Sequence, residues 1–164
     1  MFETLNEFNN IVISGAQRSG TRITAKIIAY DTGKKYIDEK YLNFHDFRLL
    51  EWYLKKGNSV IQCPALCHLL HNIKDESTLV IVVRRAIEDI MLSESKHWSK
   101  ISEKNELYKY GYSNGIISQI KYDYWQNYQK PILGERGREI QYHNLKNHKL
   151  FIKDRTGFKW NQTQ

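Results

Sequence analysis

Eight consecutive residues, Gly15-Ala16-Gln17-Arg18-Ser19-Gly20-Thr21-Arg22, set two glycines with four residues between them, after an apolar run and before an amphipathic stretch. Such a loop, closed by a helix N-terminus, turns backbone N–H groups toward one point and makes a nest for an anion. A nucleotide-triphosphate loop continues with Lys and then Ser or Thr after its second glycine, to reach the outer phosphates and hold magnesium. Here Thr21 and Arg22 stand in those places, and the cation has moved inside the loop, to Arg18. The pattern suits a phosphate ligand but argues against ordinary ATP or GTP hydrolysis.

A second cluster follows the apolar run "TLVIVV". Arg85 leaves that run, and Ser93 comes eight residues later with Asp89 between them. Two helical turns bring a guanidinium and a hydroxyl to one side, where both can hold one phosphate. Arg84 could fill the same role, and a solvated charged helix start is the plainer alternative for "RRAIED".

Together these segments resemble the sulfotransferase family, in the manner of a short bacterial- or phage-type member. "QRSGTR" resembles that family's 5′-phosphosulfate loop, and Arg85 with Ser93 its 3′-phosphate clamp, although the family's Asn-Pro or Asp-Pro after the arginine is absent. "SVIQCPALCHLLHNI" resembles a strand and helix that read Lys-x-Pro in many members; Pro64 fits, and Gln62 replaces the lysine. "EIQYHNLKNHKLFI" is similar to a late strand in which His143 replaces a glutamate, and "DRTGFKWNQ" to a basic glycine loop that closes over the nucleotide.

The resemblance implies 3′-phosphoadenosine 5′-phosphosulfate (PAPS) as donor, with no metal. Gly15, Gln17, Arg18, Ser19, Gly20, Thr21 and Arg22 would hold the phosphosulfate, Arg85 and Ser93 the 3′-phosphate, and Arg155 and Gly157 the closing loop. A hydroxyl or amine would attack sulfur in line, and adenosine 3′,5′-bisphosphate would leave. Arg18 and the loop amides suit the charge on the leaving phosphate. Glu39, after the second strand, is the first choice of base, with Asp38 second and His45 and His68 behind them. The bland alternative is that Asp38 and Glu39 solvate a strand end or pair with Lys40. The acceptor, beyond bearing a hydroxyl, is not specified.

Two other functions fit the same elements: a nucleotide kinase with an altered loop, and a non-catalytic nucleotide-binding module. A net charge of +7 and a pI near 9.3 draw anions of any kind. Nucleic acid is the weaker expectation, because no recognised RNA- or DNA-binding motif is present. Cys63, Cys67, His68 and His71 lack a second cysteine pair, so buried thiols are favoured over zinc. Tyr122, Trp125 and Tyr128 read mainly as a core helix face, with stacking on adenine or a sugar as the functional alternative.

The elements that must position these groups alternate. Ile11 to Ser14, Lys35 to Asp38, Ser59 to Gln62, Thr78 to Val83 and Arg138 to Tyr142 read as strands. Helices are expected at Thr21 to Tyr30, Phe44 to Lys56, after Pro64, at Ala86 to Lys96, and at Asn114 to Gln129, closed before Pro131. From Lys149 the tail reads as basic and irregular. The order predicts an α/β three-layer, P-loop-like fold: a central parallel sheet of about five strands flanked by helices. Ligands then sit beyond the carboxyl ends of the strands. The 164 residues suit one domain, and a polar start without a long apolar run predicts a cytoplasmic chain with no membrane insertion.

Overall fold

The computed structural model describes residues 1–98 and 115–155. Its centre is a five-stranded sheet in the order β2-β3-β1-β4-β5. The strands are β1 (Asn10–Gly15), β2 (Lys35–Ile37), β3 (Ser59–Gln62), β4 (Thr78–Arg84) and β5 (Gly137–Gln141), and every neighbouring pair is parallel. This is the predicted α/β P-loop-like architecture.

Strand periodicity divides the core. Val12, Ile61, Val80 and Val82 face one side; Ile11, Ile13, Val60, Leu79, Ile81 and Val83 face the other. Both faces are covered, which explains why β1 and β4 are apolar without alternation. The first face packs beneath α2 (Phe47–Lys56), a 3₁₀ helix (Pro64–Asn72) and α4 (Ile116–Tyr124). The second lies against α1 (Thr21–Thr32), and a smaller cluster joins α1 to α6 (Lys149–Arg155) through Ile23, Ile27, Leu145, Leu150 and Phe151. Between β4 and α4 runs α3 (Ile87–Trp98).

Several sequence expectations are corrected. Helix α2 starts at Phe47, not Phe44: Asn43 and Phe44 have φ of 47° and 64°, outside the helical region, and the Asp46 carboxylate caps Arg48 N–H at 3.0 Å. The segment after Pro64 winds as a 3₁₀ helix, and Pro64, Cys67, Leu70 and Ile73 are buried at its period of three. Pro131 does not end the helix before it. Trp125–Gln129 forms a π turn in which Lys130 N–H bonds Trp125 O, and Pro131 lies in the first turn of a renewed helix α5 (Lys130–Leu133), where its missing N–H costs little. The tail is not irregular at Lys149, because Leu150 and Phe151 anchor α6 in the core. Strands β2 and β5 each end one residue earlier than expected, freeing Asp38 and Tyr142 from the ladder.

Asn10 fixes the lower end of the central strand. It is fully buried; its Nδ2 donates to Leu54 O at 2.9 Å and its Oδ1 accepts Ser59 N–H at 3.3 Å. One amide therefore ties β1 to β3 and to α2. Asn10→Ala would leave a buried N–H and a buried carbonyl unpaired, and urea unfolding should register a loss of about 2–3 kcal/mol.

Candidate functional site

The loop between β1 and α1 is shaped by two positions that exclude a side chain. Gly15 has φ of 149°, and a Cβ there would sit 2.9 Å from Val83 O on the neighbouring strand. Gly20 has φ of 97°, and a Cβ would enter the Tyr142 ring at 2.3 Å. Arg18, between them, is left-handed at φ of 62°. Ser19 is buried and turned inward: its Oγ donates to Ala16 O at 2.7 Å and its N–H to the same carbonyl at 3.2 Å. The amides in the first turn of α1 have no intrahelical acceptor and open toward the loop. A cavity of about 260 Å³ lies over this turn, lined among others by Gln17, Arg18, Thr21, Arg22, Glu39 and Gln62.

Beside the loop, the predicted second cluster closes. Arg18 Nε donates to Ser93 Oγ at 3.1 Å, and Arg85 Nη1 donates to Arg18 O at 2.9 Å. Arg85 stacks on the Tyr142 ring, 4.4 Å from its centroid, and its Nε is buried without a hydrogen-bond partner. The two neighbouring arginines part company here. Arg84 turns to Glu139, 3.4 Å away, and lies 4.8 Å from the Tyr122 ring centroid. Glu139 also accepts Trp125 Nε1–H at 3.0 Å and stands 3.7 Å from Lys130 Nζ. Arg85, not Arg84, thus belongs to the cavity, and Arg84 belongs to the framework. Asp89 is exposed and does not line the cavity.

On the opposite wall stands Glu39. Burial raises its carboxyl above the ordinary glutamate range, against the opposing pull of the Arg22 guanidinium, 3.8 Å from Oε1. Asp38 is tied down instead: it accepts the Tyr36 hydroxyl at 2.8 Å and Lys40 N–H at 3.1 Å, and Arg22 Nε lies 3.3 Å away. Arg22, rather than Lys40, is therefore the partner of this acidic pair. Gln62 bridges the two walls. Its Oε1 accepts Glu39 N–H at 3.3 Å, and its Nε2 donates to Thr21 Oγ1 at 3.0 Å.

The other candidates lie elsewhere. His45 is exposed, beside Asn43, Asp46 and Arg48. His68 is exposed and does not line the cavity. Burial raises the thiols of Cys63 and Cys67, and His71 Nδ1 pairs with Gln129 Nε2 at 3.1 Å. No group of three or more His, Cys, Asp or Glu able to hold a metal occurs among the described residues. Tyr122 and Trp125 are core residues: Tyr122 Oη donates to Val83 O at 3.0 Å and accepts Arg85 N–H at 3.2 Å. Tyr128 is exposed and stacks on Tyr124 with centroids 5.1 Å apart. Arg155 closes α6, and Gly157 lies outside the described residues.

Sequence reasoning missed Tyr142, which read as a strand residue but roofs Gly20 and carries Arg85. It also missed Lys121 on α4, a half-buried amine whose pKa is lowered by desolvation and which lies within electrostatic reach of Cys67, Glu94 and Glu39. No spacing rule pointed to either, since Tyr142 enters the cavity from beyond β5 and Lys121 acts on Glu39 only through its charge, from α4.

No protein-family model matches the sequence, and no curated protein matches it. Among solved structures the chain is similar to shikimate kinase from Acinetobacter baumannii in complex with shikimate, with a TM-score of 0.56 and 12% identity, over 97% of this chain and 100% of that one. The likeness is one of fold: the P-loop-like α/β arrangement of a parallel sheet flanked by helices. No helix among the described residues is long and apolar enough to cross a membrane.

A glutamate raised by burial binds its proton more tightly in the folded chain than in the unfolded one. Folding stability is then lost as pH rises from the ordinary glutamate range through the folded value. Glu39→Gln should consequently be more stable than the unaltered chain at pH 7, with the gain shrinking toward pH 4. Urea unfolding at the two pH values measures it.

Proposed function

We propose that the chain is a nucleotide-dependent group-transfer enzyme whose donor is PAPS and whose product is adenosine 3′,5′-bisphosphate. The observation that supports this reading is the meeting of Arg18, Arg85 and Ser93 beside the loop. A single anion nest suits any phosphate. A second set of cationic and hydroxyl donors next to it suits a nucleotide with a second, separate phosphate. The buried Arg85 Nε supplies a donor still free for an anionic oxygen.

In this reading the loop amides and Arg18 hold the 5′-phosphosulfate and meet the charge left on the departing phosphate. Arg85 and Ser93 grip the 3′-phosphate, with Tyr142 stacked beneath the guanidinium. Glu39 takes the proton of the attacking hydroxyl as the acceptor oxygen bonds sulfur and the sulfur–oxygen bond to the phosphate breaks. Its raised pKa makes it a stronger base than an exposed carboxylate.

A second reading is phosphoryl transfer by a nucleotide kinase. The fold comparison favours it over sulfuryl transfer, because the similar structure is a kinase, in complex with shikimate. Against it stands the loop itself, with Thr21 and Arg22 where lysine and the magnesium-binding hydroxyl belong. A module that binds nucleotide without turnover would share the donor site but not depend on Glu39.

Calorimetry separates these. Adenosine 3′,5′-bisphosphate should bind at least about tenfold more tightly than AMP, the effect of one charge-assisted contact set. Arg85→Met and Ser93→Ala should each shrink that ratio. Equal affinity for the two nucleotides removes the PAPS reading, and magnesium-dependent ATP binding tighter than that of the bisphosphate supports the kinase. Sulfate transfer abolished by Glu39→Gln, with bisphosphate binding retained, separates the enzyme from the binding module.

A further inference from the structure

Gln62 carries a role that neither its charge nor its exposure announces. It closes β3, is 2% exposed, and its amide has one partner at each end. Glu39 N–H can only donate, so the end it meets is Oε1, which fixes the flip of the amide. Nε2 must then face Thr21 Oγ1, and the threonine oxygen accepts. A hydroxyl has a single proton. With a lone pair of Thr21 engaged by Gln62, that proton is directed away from Gln62. Thr21 and Gln62 both line the cavity over the phosphate loop.

We infer that Gln62 is a positioning residue, which aims the Thr21 hydroxyl as a hydrogen-bond donor at an anionic oxygen in the loop while holding the Glu39 backbone with its other end. The inference rests on the nucleotide-binding reading above. A lysine at this place would bring a full charge to the transferred group. The glutamine brings a directed dipole, and its two hydrogen bonds tie the anion cradle to the acidic wall through one side chain. Any phosphate or sulfuryl oxygen seated in the loop would be recognised by the same donor.

The test is calorimetric titration of the full chain with adenosine 3′,5′-bisphosphate, each variant being checked for folding by thermal melting. Thr21→Val should weaken binding by about tenfold, the loss of one hydrogen bond to a charged group, and Thr21→Ser should restore it to within about threefold. Gln62→Met should weaken binding several-fold in the unaltered background and add nothing in the Thr21→Val background. Gln62→Glu, whose carboxylate would accept the Thr21 proton and turn it inward, should bind more weakly than Gln62→Met. Additive losses from Gln62→Met and Thr21→Val, or Thr21→Val within twofold of the unaltered chain, would leave Gln62 as a structural strut and overturn the inference alone. If the unaltered chain fails to bind the bisphosphate, the nucleotide reading falls and this one with it. Should Gln62→Met not fold, Gln62→Glu takes its place in the cycle, and its loss in the unaltered background should exceed its loss in the Thr21→Val background, the repulsion of the added charge being common to both.

Discussion

Two missing side chains govern the site. The Gly15 carbon lies against Val83 O, so β1 and β4 can stay paired to the very edge of the sheet. The Gly20 carbon lies against the Tyr142 ring, so the start of α1 can tuck under the end of β5. A methyl group at either place would push the loop away from one of its neighbours. From this close approach follows the rest: Arg85, leaving β4, reaches the Arg18 carbonyl, and Arg18 in turn reaches Ser93 on α3. The loop is thus gripped by three later segments of the chain, which keeps its amides fixed in direction before a ligand arrives.

Electrostatics sharpen that arrangement. Arg18, Arg22 and Arg85 line one cavity with Glu39 as its carboxylate. The local excess is positive, as an anion site requires, and it is not merely the average of a basic chain. Arg84 and Glu139 show the opposite use of charge a residue away. There a carboxylate is met by Arg84, Lys130 and the Trp125 indole, so its negative charge is answered within the framework and does not draw Arg85 off the loop.

The strand–loop–helix and the Arg85–Ser93 step were legible in the sequence because both depend on local spacing, and local spacing survives folding. The parallel sheet was legible for the same reason, through β-branched runs at regular intervals. What escaped depends on contacts distant along the chain. Tyr142 differs from any other residue at a strand end only by lying opposite a glycine more than a hundred positions earlier. Gln62 looked like a lost lysine; its meaning lies in two partners, Thr21 and Glu39, that no pattern links to it. Pro131 misled because the rule that proline ends helices assumes regular winding, and the π turn at Trp125–Gln129 suspends it. The two arginines at 84 and 85 were indistinguishable until the pleat of β4 sent them to different sides.

The grip of Tyr142 on Gly20 also sets an order in time. Strand β1 is made early, yet its neighbours in the sheet are β3 and β4, and the roof of its loop belongs to the segment after β5. During synthesis the loop leaves the ribosome long before anything can hold it in shape. The roof of the anion nest is therefore the last of its walls to be synthesised, and a chain cut short before β5 would carry every residue of the loop without the ring that covers Gly20.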